Sequence, residues 1–424
     1  MSDAAPLEVK IAAETEDESV GAAVRRRLDR LKAGDVGSLP VIVGMILITI
    51  FFTAKTNVFF TAVNFDNLIP QMSQVTVMAM GVVFVLLIGE IDLSIGFLSG
   101  LCAVAVAELQ LAGSSHAYPW YIAIGGAILL GAVIGAVQGS IVAFLGVPSF
   151  VVTLAGLLAW NGLIIQALGT QGVIGIQEQK INDVANYFFP KWVGWAGAAA
   201  VTVGYLAIAV GGYVSRRRAG LRGGNLWLIA LRVVFLSATA WVVAAICNHA
   251  RGVPFAGVLI IVLLVFWTFI AQRTTFGRHV YAVGGNAEAA RRAGINVRFI
   301  RVAVFTISGA MAAVGGIIAA ARLQSVDLTA GSGTILLDAI SAAVIGGTSL
   351  FGGRGFVKAA LLGALVTQTI QNGIDLVGYS DAVKDVVTAV ILLAAVMLDT
   401  FRPLQVTETA LAVSDPAYIR SWSG

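Results

Sequence analysis

From residue 40 to residue 398 the chain is a succession of apolar stretches with almost no charge inside them, and that feature leaves few folds open to it. An α-helix needs about 20 apolar residues to cross about 30 Å of hydrocarbon. Stretches that meet or approach this length run over 40–54, 72–88, 95–112, 120–145, 150–168, 193–214, 226–247, 254–272, 300–320, 334–350, 356–374 and 382–398. That is about twelve crossings on the length criterion. Several are short or glycine-rich, so two are expected to be broken or re-entrant, which bounds the count at about 10–12. The fold class is all-α, a polytopic transmembrane helical bundle.

Composition agrees with lipid as the solvent. Only 12% of the residues are charged, against roughly 25% in an average soluble domain, too few to coat a water-exposed surface. The 48 glycines suit close helix–helix approach, because lipid supplies no hydrophobic drive and small residues let backbones touch. A net charge of +4 could point to nucleic acid, but the basic residues sit in short loops between apolar stretches. That is the pattern of cytoplasmic loops under the positive-inside rule, so no nucleic-acid partner is expected.

Orientation follows from those loops. Alternating from a cytoplasmic N-terminus puts Arg216, Arg217, Arg218 and Arg222, the loop 273–299, and Arg402 on one side. The other side receives mixed or acidic loops such as Gln171–Pro190. Both termini are then cytoplasmic and the span count is even. Residues 1–38 read as a polar cytoplasmic tail with no signal-peptide pattern, 39–400 as the transmembrane domain, and 401–424 as a second cytoplasmic tail. Gly135–Gln138 followed by Val147–Phe150 loosely parallels Gly363–Val366 followed by Gly378–Ser380. Repeated halves produce such an echo, and so does chance among Gly/Ala/Val-rich helices.

The most informative segment is Phe276–Asn296, between two apolar stretches on the basic side. Asn286 is a good N-cap, Glu288 lies in the first turn where the helix dipole favours an anion, and Ala289, Ala290 and Ala293 favour helix. Arg291 and Arg292 follow near the C-terminal end, and Gly294 suits the left-handed closing conformation. A polar, self-capped helix between spans is poor membrane material. It reads either as a solvated loop whose arginines fix topology or as a docking element.

Glycine-framed segments of this kind resemble the coupling helix of ATP-binding-cassette importer permeases, and this one is similar, nearly residue for residue, to the monosaccharide permease family for ribose, galactose, arabinose and xylose. Three further stretches carry the resemblance: Gly89-Glu90-Ile91-Asp92-Leu93-Ser94-Ile95-Gly96, the run Val147–Gly156, and Asp338-Ala339-Ile340 continuing through Val344–Leu350. Together they extend it from about residue 70 to 400, and the opening residues show no such motif. The extra stretch near 193–250, followed by Arg251-Gly252-Val253-Pro254, resembles the longer D-xylose-type members.

The resemblance implies a permease subunit of the cell inner membrane that translocates a monosaccharide, D-xylose preferred, as a multi-pass homodimer among membrane lipids. ATP-binding-cassette ATPase subunits would dock on Gly284, Gly285, Asn286, Glu288, Ala289, Ala290, Arg291 and Gly294, and a soluble periplasmic sugar-binding protein would deliver the sugar. The phosphate-cradling pattern Gly-x-x-x-x-Gly-Lys-Ser/Thr is absent from the sequence. ATP and Mg are therefore expected on the partner chain, with no cofactor and no catalytic residue on this one.

Glu90 and Asp92 fall between two apolar stretches with almost no loop, and alternation places them near the cytoplasmic ends of their helices. A carboxylate at mid-bilayer costs ~2.5–3.5 kcal/mol. Asp92 is positioned to cap the following helix with Ser94 nearby; a structural or gating role and direct sugar contact both remain open. Sugar passage asks for neutral hydrogen-bonding groups and aromatics, which makes Thr153, Trp160, Asn161, Gln166, Gln368, Gln371 and Asn372 the pathway candidates, with helix–helix hydrogen bonds as the ordinary alternative. Amides cluster at Asn161 with Gln166 and at Gln368 with Asn372. Asp375, Asp381, Lys384 and Asp385 lie towards the outer face.

Cys102 and Cys247 are far apart, and His116, His249 and His279 are isolated, so neither a disulfide nor a metal site is expected. Other functions remain: a permease of the same family for ribose, another sugar or nucleosides, or an ion-coupled secondary transporter, which usually carries ionisable groups at mid-membrane.

Overall fold

A computed structural model describes residues 39–111, 118–218 and 226–401. The expected tails 1–38 and 401–424 lie outside them, Phe401 apart, as do Arg222, Arg402 and His116. Each apolar stretch expected to span is a helix. In chain order these are α1 (Leu39–Lys55), α2 (Ala62–Leu87), α3 (Ile95–Leu109), α4 (Trp120–Ser140, prolonged by a π-turn) and α5 (Ser149–Leu168). A short strand β1 (Val173–Gly175) and helix α6 (Gln179–Asn186) lead to α7 (Lys191–Arg218), α8 (Leu226–His249) and α9 (Phe255–Arg273). Then come α10 (Thr275–Gly285), α11 (Ala287–Arg292), α12 (Val297–Leu323), β2 (Ser325–Asp327), α13 (Ile335–Ile345), α14 (Lys358–Val377) and α15 (Asp381–Phe401).

Among the described residues seven helices are long and apolar enough to cross a membrane: α2, α4, α5, α7, α8, α9 and α12. Helix α2 starts well before the expected residue 72: Thr61 caps it, accepting from the Asn64 N–H, and the helix continues through Pro70. The greater departures are α3 and α13, expected as full spans. With 15 residues and 11 residues they reach only ~22 Å and ~16 Å at 1.5 Å per residue. Both are largely buried by other helices. Non-helical backbone at membrane depth is tolerated where protein, not lipid, surrounds it.

Close contacts fix where these half-helices begin. Gly81 of α2 packs on Ser308 of α12 and Gly315 of α12 on Met78, so α2 and α12 are antiparallel. Asp92 bonds to Ser308, and Gly316 abuts Ser99, so α3 runs parallel to α12 and starts level with its middle. A Cβ on Gly96 would lie 2.9 Å from the Gly331 carbonyl oxygen and 3.2 Å from the Leu336 Cβ. The first turns of α3 and α13 thus meet near mid-depth and the helices diverge, α3 towards one end of the bundle and α13 towards the other.

The arrangement repeats with inverted sense. A long helix (α2 or α12), an irregular re-entry, a half-helix (α3 or α13) and two further helices (α4–α5 or α14–α15) make each half. Helices α4–α5 and α14–α15 therefore occupy equivalent places, but the residues of the faint sequence echo do not. Its glycines pack differently: Gly135 on Phe305 of α12 in the opposite half, Gly363 on Ala342 of α13 in its own. The α7–α8 hairpin lies between the halves and is mostly exposed. Trp195 and Trp241 pair within it, ring centroids 5.7 Å apart.

At the end of the bundle where α2 begins, β1 pairs antiparallel with β2, Ile174 opposite Val326. Gln110 holds the strand's continuation, its Oε1 accepting from the Gln177 and Glu178 N–H groups, both at 3.0 Å. Arg251 donates to the buried Asp66 at 3.1 Å and to Asn67, and its guanidinium sits 4.0 Å from the Phe188 ring centroid. The opposite end carries α10 and α11, the basic close of α7 (Arg216–Arg218), the start of α1 and the end of α15. The described chain thus enters and leaves at the end that holds the 273–299 loop.

A close, glycine-lined helix crossing joins α4 to α12. A Cβ on Gly309 would stand 2.1 Å from the Gly131 carbonyl oxygen. Gly309→Ala is expected to destabilise the fold by about 1–3 kcal/mol through overpacking, read as a lower thermal midpoint in detergent; an unchanged midpoint would contradict so close a crossing.

Candidate functional site

The chain between α9 and α12 turns three times, and each turn has its own cap. Thr274 Oγ1 accepts from the Gly277 N–H at 3.2 Å, Asn286 Oδ1 from Ala289 at 2.9 Å, and Asn296 Oδ1 from Phe299 at 3.0 Å. A cap of this kind contributes about 1 kcal/mol. The caps break what would be one long helix into α9, amphipathic α10, the six-residue α11 and α12.

Helix α11 stands at the surface. Glu288 in its first turn pairs with Arg291 at 2.7 Å and Arg292 at 3.2 Å. Both pairs are exposed, so each contributes ~0.2–1 kcal/mol at most. Ala290 is buried and roots the helix on the bundle, whereas Ala289, Arg291, Arg292, Ala293 and Gly294 are exposed. Gly294 closes the turn with φ +86°, a conformation natural to glycine. Gly285 is exposed with open space around it. Gly284, like Ala290 among the expected docking residues, faces inward: a Cβ there would lie 1.7 Å from the Leu87 carbonyl oxygen. Tyr281 in α10 donates to the Gly355 carbonyl at 2.8 Å; burial pushes its phenol above the ordinary value, keeping the proton on the donor.

Beside this loop, residues 88–94 lead from the end of α2 into the protein. Glu90 meets Arg301 of α12 at 3.1 Å, both partly buried. Asp92 lies deeper than alternation of spans suggested, level with the middle of α12. Its Oδ1 accepts from the Ser94 N–H at 2.9 Å and hydroxyl at 2.7 Å, and its Oδ2 from the Ser308 hydroxyl at 2.8 Å. Gln138 of α4 adds a bond to Ser94 Oγ at 3.0 Å. Asp92 thereby ties the first amides of α3 to α12 and, through Ser94, to α4.

A second buried polar chain lies in the other half. Asp338 in the first turn of α13 accepts from Gln371 Nε2 at 2.9 and 2.8 Å and from Thr334 Oγ1 at 3.0 Å. Gln368 donates to Gln371 at 3.1 Å. Asn372 accepts from Asn64 at 2.9 Å and donates to Gln71 at 3.2 Å. The structure thus brings Gln368 and Asn372 into one neighbourhood. It does not do so for Asn161 with Gln166, since Asn161 is half-buried and Gln166 faces outward on α5. Thr153 bonds back to Ser149 in its own helix at 2.9 Å. Among the described residues the Trp160 indole N–H finds no acceptor, and it lies beside Gly156 and Gln138.

Sequence reasoning gave no site role to Asp338, Gln138, Ser308, Asn64 or Gln71. The available signal was polarity inside apolar segments, since Asp338 is ionisable in a stretch assigned as a span. Lys384 pairs with Asp375 and Asp381 where α14 ends and α15 begins. Among the described residues no three potential metal ligands come together.

A membrane bundle of two inverted halves whose half-helices meet at mid-depth is the architecture of a transporter. Residues 64–396 match the model of the branched-chain amino acid transport system / permease component family, and the chain belongs to that family. It is 34% identical over 407 residues to the xylose transport system permease protein XylH of Escherichia coli K12, covering 94% of this chain and 98% of that one. The Haemophilus influenzae XylH protein is 35% identical over 388 residues, 88% of this chain and 98% of its own. The ribose import permease protein RbsC of E. coli K12 is 33% identical over 357 residues, 84% of this chain and 91% of its own. The likeness to the first of these reaches into the opening 70 residues, where no motif was recognisable. No solved structure matches the chain. The relatives are transport permeases, which agrees with the expectation of a transporter and not an enzyme.

The Glu90–Arg301 pair fastens the re-entrant segment to the start of α12. Glu90→Arg and Arg301→Glu are each expected to lower the thermal midpoint and solute uptake, and the double exchange to recover most of both. The interaction energy from the cycle should be about 0.5–3 kcal/mol; simple additivity of the two losses would show that the pair does not act as one.

Proposed function

We propose that this chain is the membrane-spanning subunit of an ATP-binding-cassette monosaccharide importer of the inner membrane, with D-xylose as the preferred sugar. The observation that carries the reading is α11: a separately capped, cationic helix on the surface at the bundle's basic end, where a soluble ATPase has access to it. The positive-inside rule makes that end, with the start of α1 and the end of α15, the cytoplasmic one. ATP and Mg are held by the ATPase, which grips α11 through Ala289, Arg291 and the Asn286 and Gly294 turns. The spans then number about 10–12, counting α3 and α13 as half-crossings.

D-xylose is preferred on two grounds: the full-length likeness to xylose permeases, and the α7–α8 hairpin that resembles the longer xylose-type members. A soluble binding protein brings the sugar to the opposite end, where Asp375, Asp381 and Lys384 form a charged rim. Within the bundle, neutral groups such as Gln368, Asn372 and Trp160 pass the sugar by exchanging hydrogen bonds with its hydroxyls, and weak contact keeps it moving. Two copies of the chain pair with two ATPases.

The permease is reconstituted with its ATPase and binding protein in proteoliposomes. Uptake of labelled D-xylose is expected to require ATP, to withstand a protonophore, and to exceed uptake of D-ribose. Collapse with the protonophore and persistence without ATP would show an ion-coupled carrier instead. Glu288→Arg combined with Gly294→Leu should cut sugar-stimulated ATP hydrolysis and uptake about tenfold or more, the equivalent of at least 1.4 kcal/mol; normal uptake by that variant would refute docking through α11.

A further inference from the structure

Three turns from distant parts of the sequence meet backbone to backbone beneath α11. The first is Leu87–Gly89, where α2 ends and the re-entry to α3 begins. The second is Gly284–Gly285, which closes α10 just before α11. The third is Gly352–Gly353, on the segment that follows α13. The Gly353 N–H donates to the Leu87 carbonyl at 2.9 Å. The Gly284 Cα presses on that same carbonyl, and a Cβ on Gly352 would lie 2.9 Å from the Gly89 N and 3.0 Å from the Gly284 carbonyl oxygen. Gly89, Gly352 and Gly353 have φ of +75°, +84° and +71°, a region open to glycine at little cost. The Tyr281 hydroxyl bonds to Gly355 just beyond the third turn.

The connections leading from this junction set its use. From Gly89 the chain runs through Glu90 and Asp92 into the first turn of α3. From Gly352 it runs back to Ile345, the end of α13. The junction therefore touches one half-helix at its leading connection and the other at its tail, and these two helices abut at Gly96 and Leu336. No side chain intervenes, so there is no rotamer to absorb a displacement, and close-packed contacts move together.

We propose that this glycine junction is the positioning element through which a displacement of α10–α11 reaches both half-helices at once, making the two inverted halves respond to the ATPase together. The inference rests on the reading of α11 as the ATPase contact. A push on α11 moves Gly284 against Leu87, which shifts the re-entry to α3. Through Gly352 it shifts the segment anchored to α13. The two first turns that meet at mid-depth then part or close as a pair.

The test uses the full complex with ATPase and binding protein in lipid discs. Ala289→Cys reports contact with the ATPase by crosslinking, and it is combined with Gly352→Ala or Tyr281→Phe. Expected is a split: the crosslink forms as in the parent, while sugar-stimulated ATP hydrolysis falls about two- to thirtyfold. Gly125→Ala, at a glycine with open space around it, serves as the control and keeps the parent's stimulation. Should Gly352→Ala fail to assemble, Tyr281→Phe decides alone, because it removes one hydroxyl and leaves the backbone contacts in place. A preserved crosslink with full stimulation overturns the junction proposal while leaving docking intact. Loss of crosslink and stimulation in parallel shows a purely structural role and also overturns it. Absence of the crosslink in the parent removes the α11 reading itself.

Discussion

The first N–H groups of α3 and α13 open helices in the interior of the bundle, where water is not at hand to satisfy them, and the rest of the architecture follows from how they are accommodated. A buried unpaired donor costs about 1–3 kcal/mol; the start of α3 is given a carboxylate acceptor, and both starts are given walls. Asp92 supplies the acceptor at α3 and is itself held by Ser94 and Ser308. Asp338 sits in the first turn of α13 and is held by Thr334 and Gln371. The walls are the long helices α2 and α12, which must lie close enough to exclude lipid; Gly81 and Gly315 allow their approach to one another, and Gly316 allows that of α3 to α12. Two carboxylates and a set of missing side chains thus support the same feature, the irregular backbone at mid-depth.

Much of this was legible in the amino-acid order and some of it was not. Length and apolarity located every large helix, and the local caps announced the turns: Asn286 before an alanine run and Gly294 after an arginine pair describe α11 almost completely. What hydropathy conceals is the difference between a span and a half-span, because α3 and α13 are as apolar as their neighbours and burial, not composition, makes their shortness tolerable. The depth of Asp92 was hidden for the same reason. Counting loops placed it near a helix end, whereas the re-entrant strand of chain carries it inward to Ser308. Helical phase explains Gln166: an amide on an apolar helix reads the same from sequence whether it faces the bundle or the outside. The partners of Asp338 come from α14 and its own turn, and a pairing across 33 positions leaves no local trace.

The polar groups also fall into two sets with different accessibility. The Glu288–arginine contacts, exposed and screened, hold α11 in shape but contribute little energy. The Asp92 and Asp338 networks are enclosed, and there a lost partner is expensive because water cannot replace it. A protein built this way concentrates its rigidity around the half-helix starts and leaves the surface helix α11 lightly held.

The hairpin of α7 and α8 touches the remainder chiefly at one end, beside the Arg251–Asp66 pair, and is closed on itself there by the Asn248 bond to the Lys191 carbonyl. Its long faces contribute little to the two inverted halves. Insertions and deletions in residues 191–249 therefore leave the geometry at Gly96 and Leu336 intact, whereas a single added residue between 88 and 94 would rotate Asp92 away from Ser308. Members of such a lineage are free to differ in length at the hairpin and bound to keep their spacing at the re-entry.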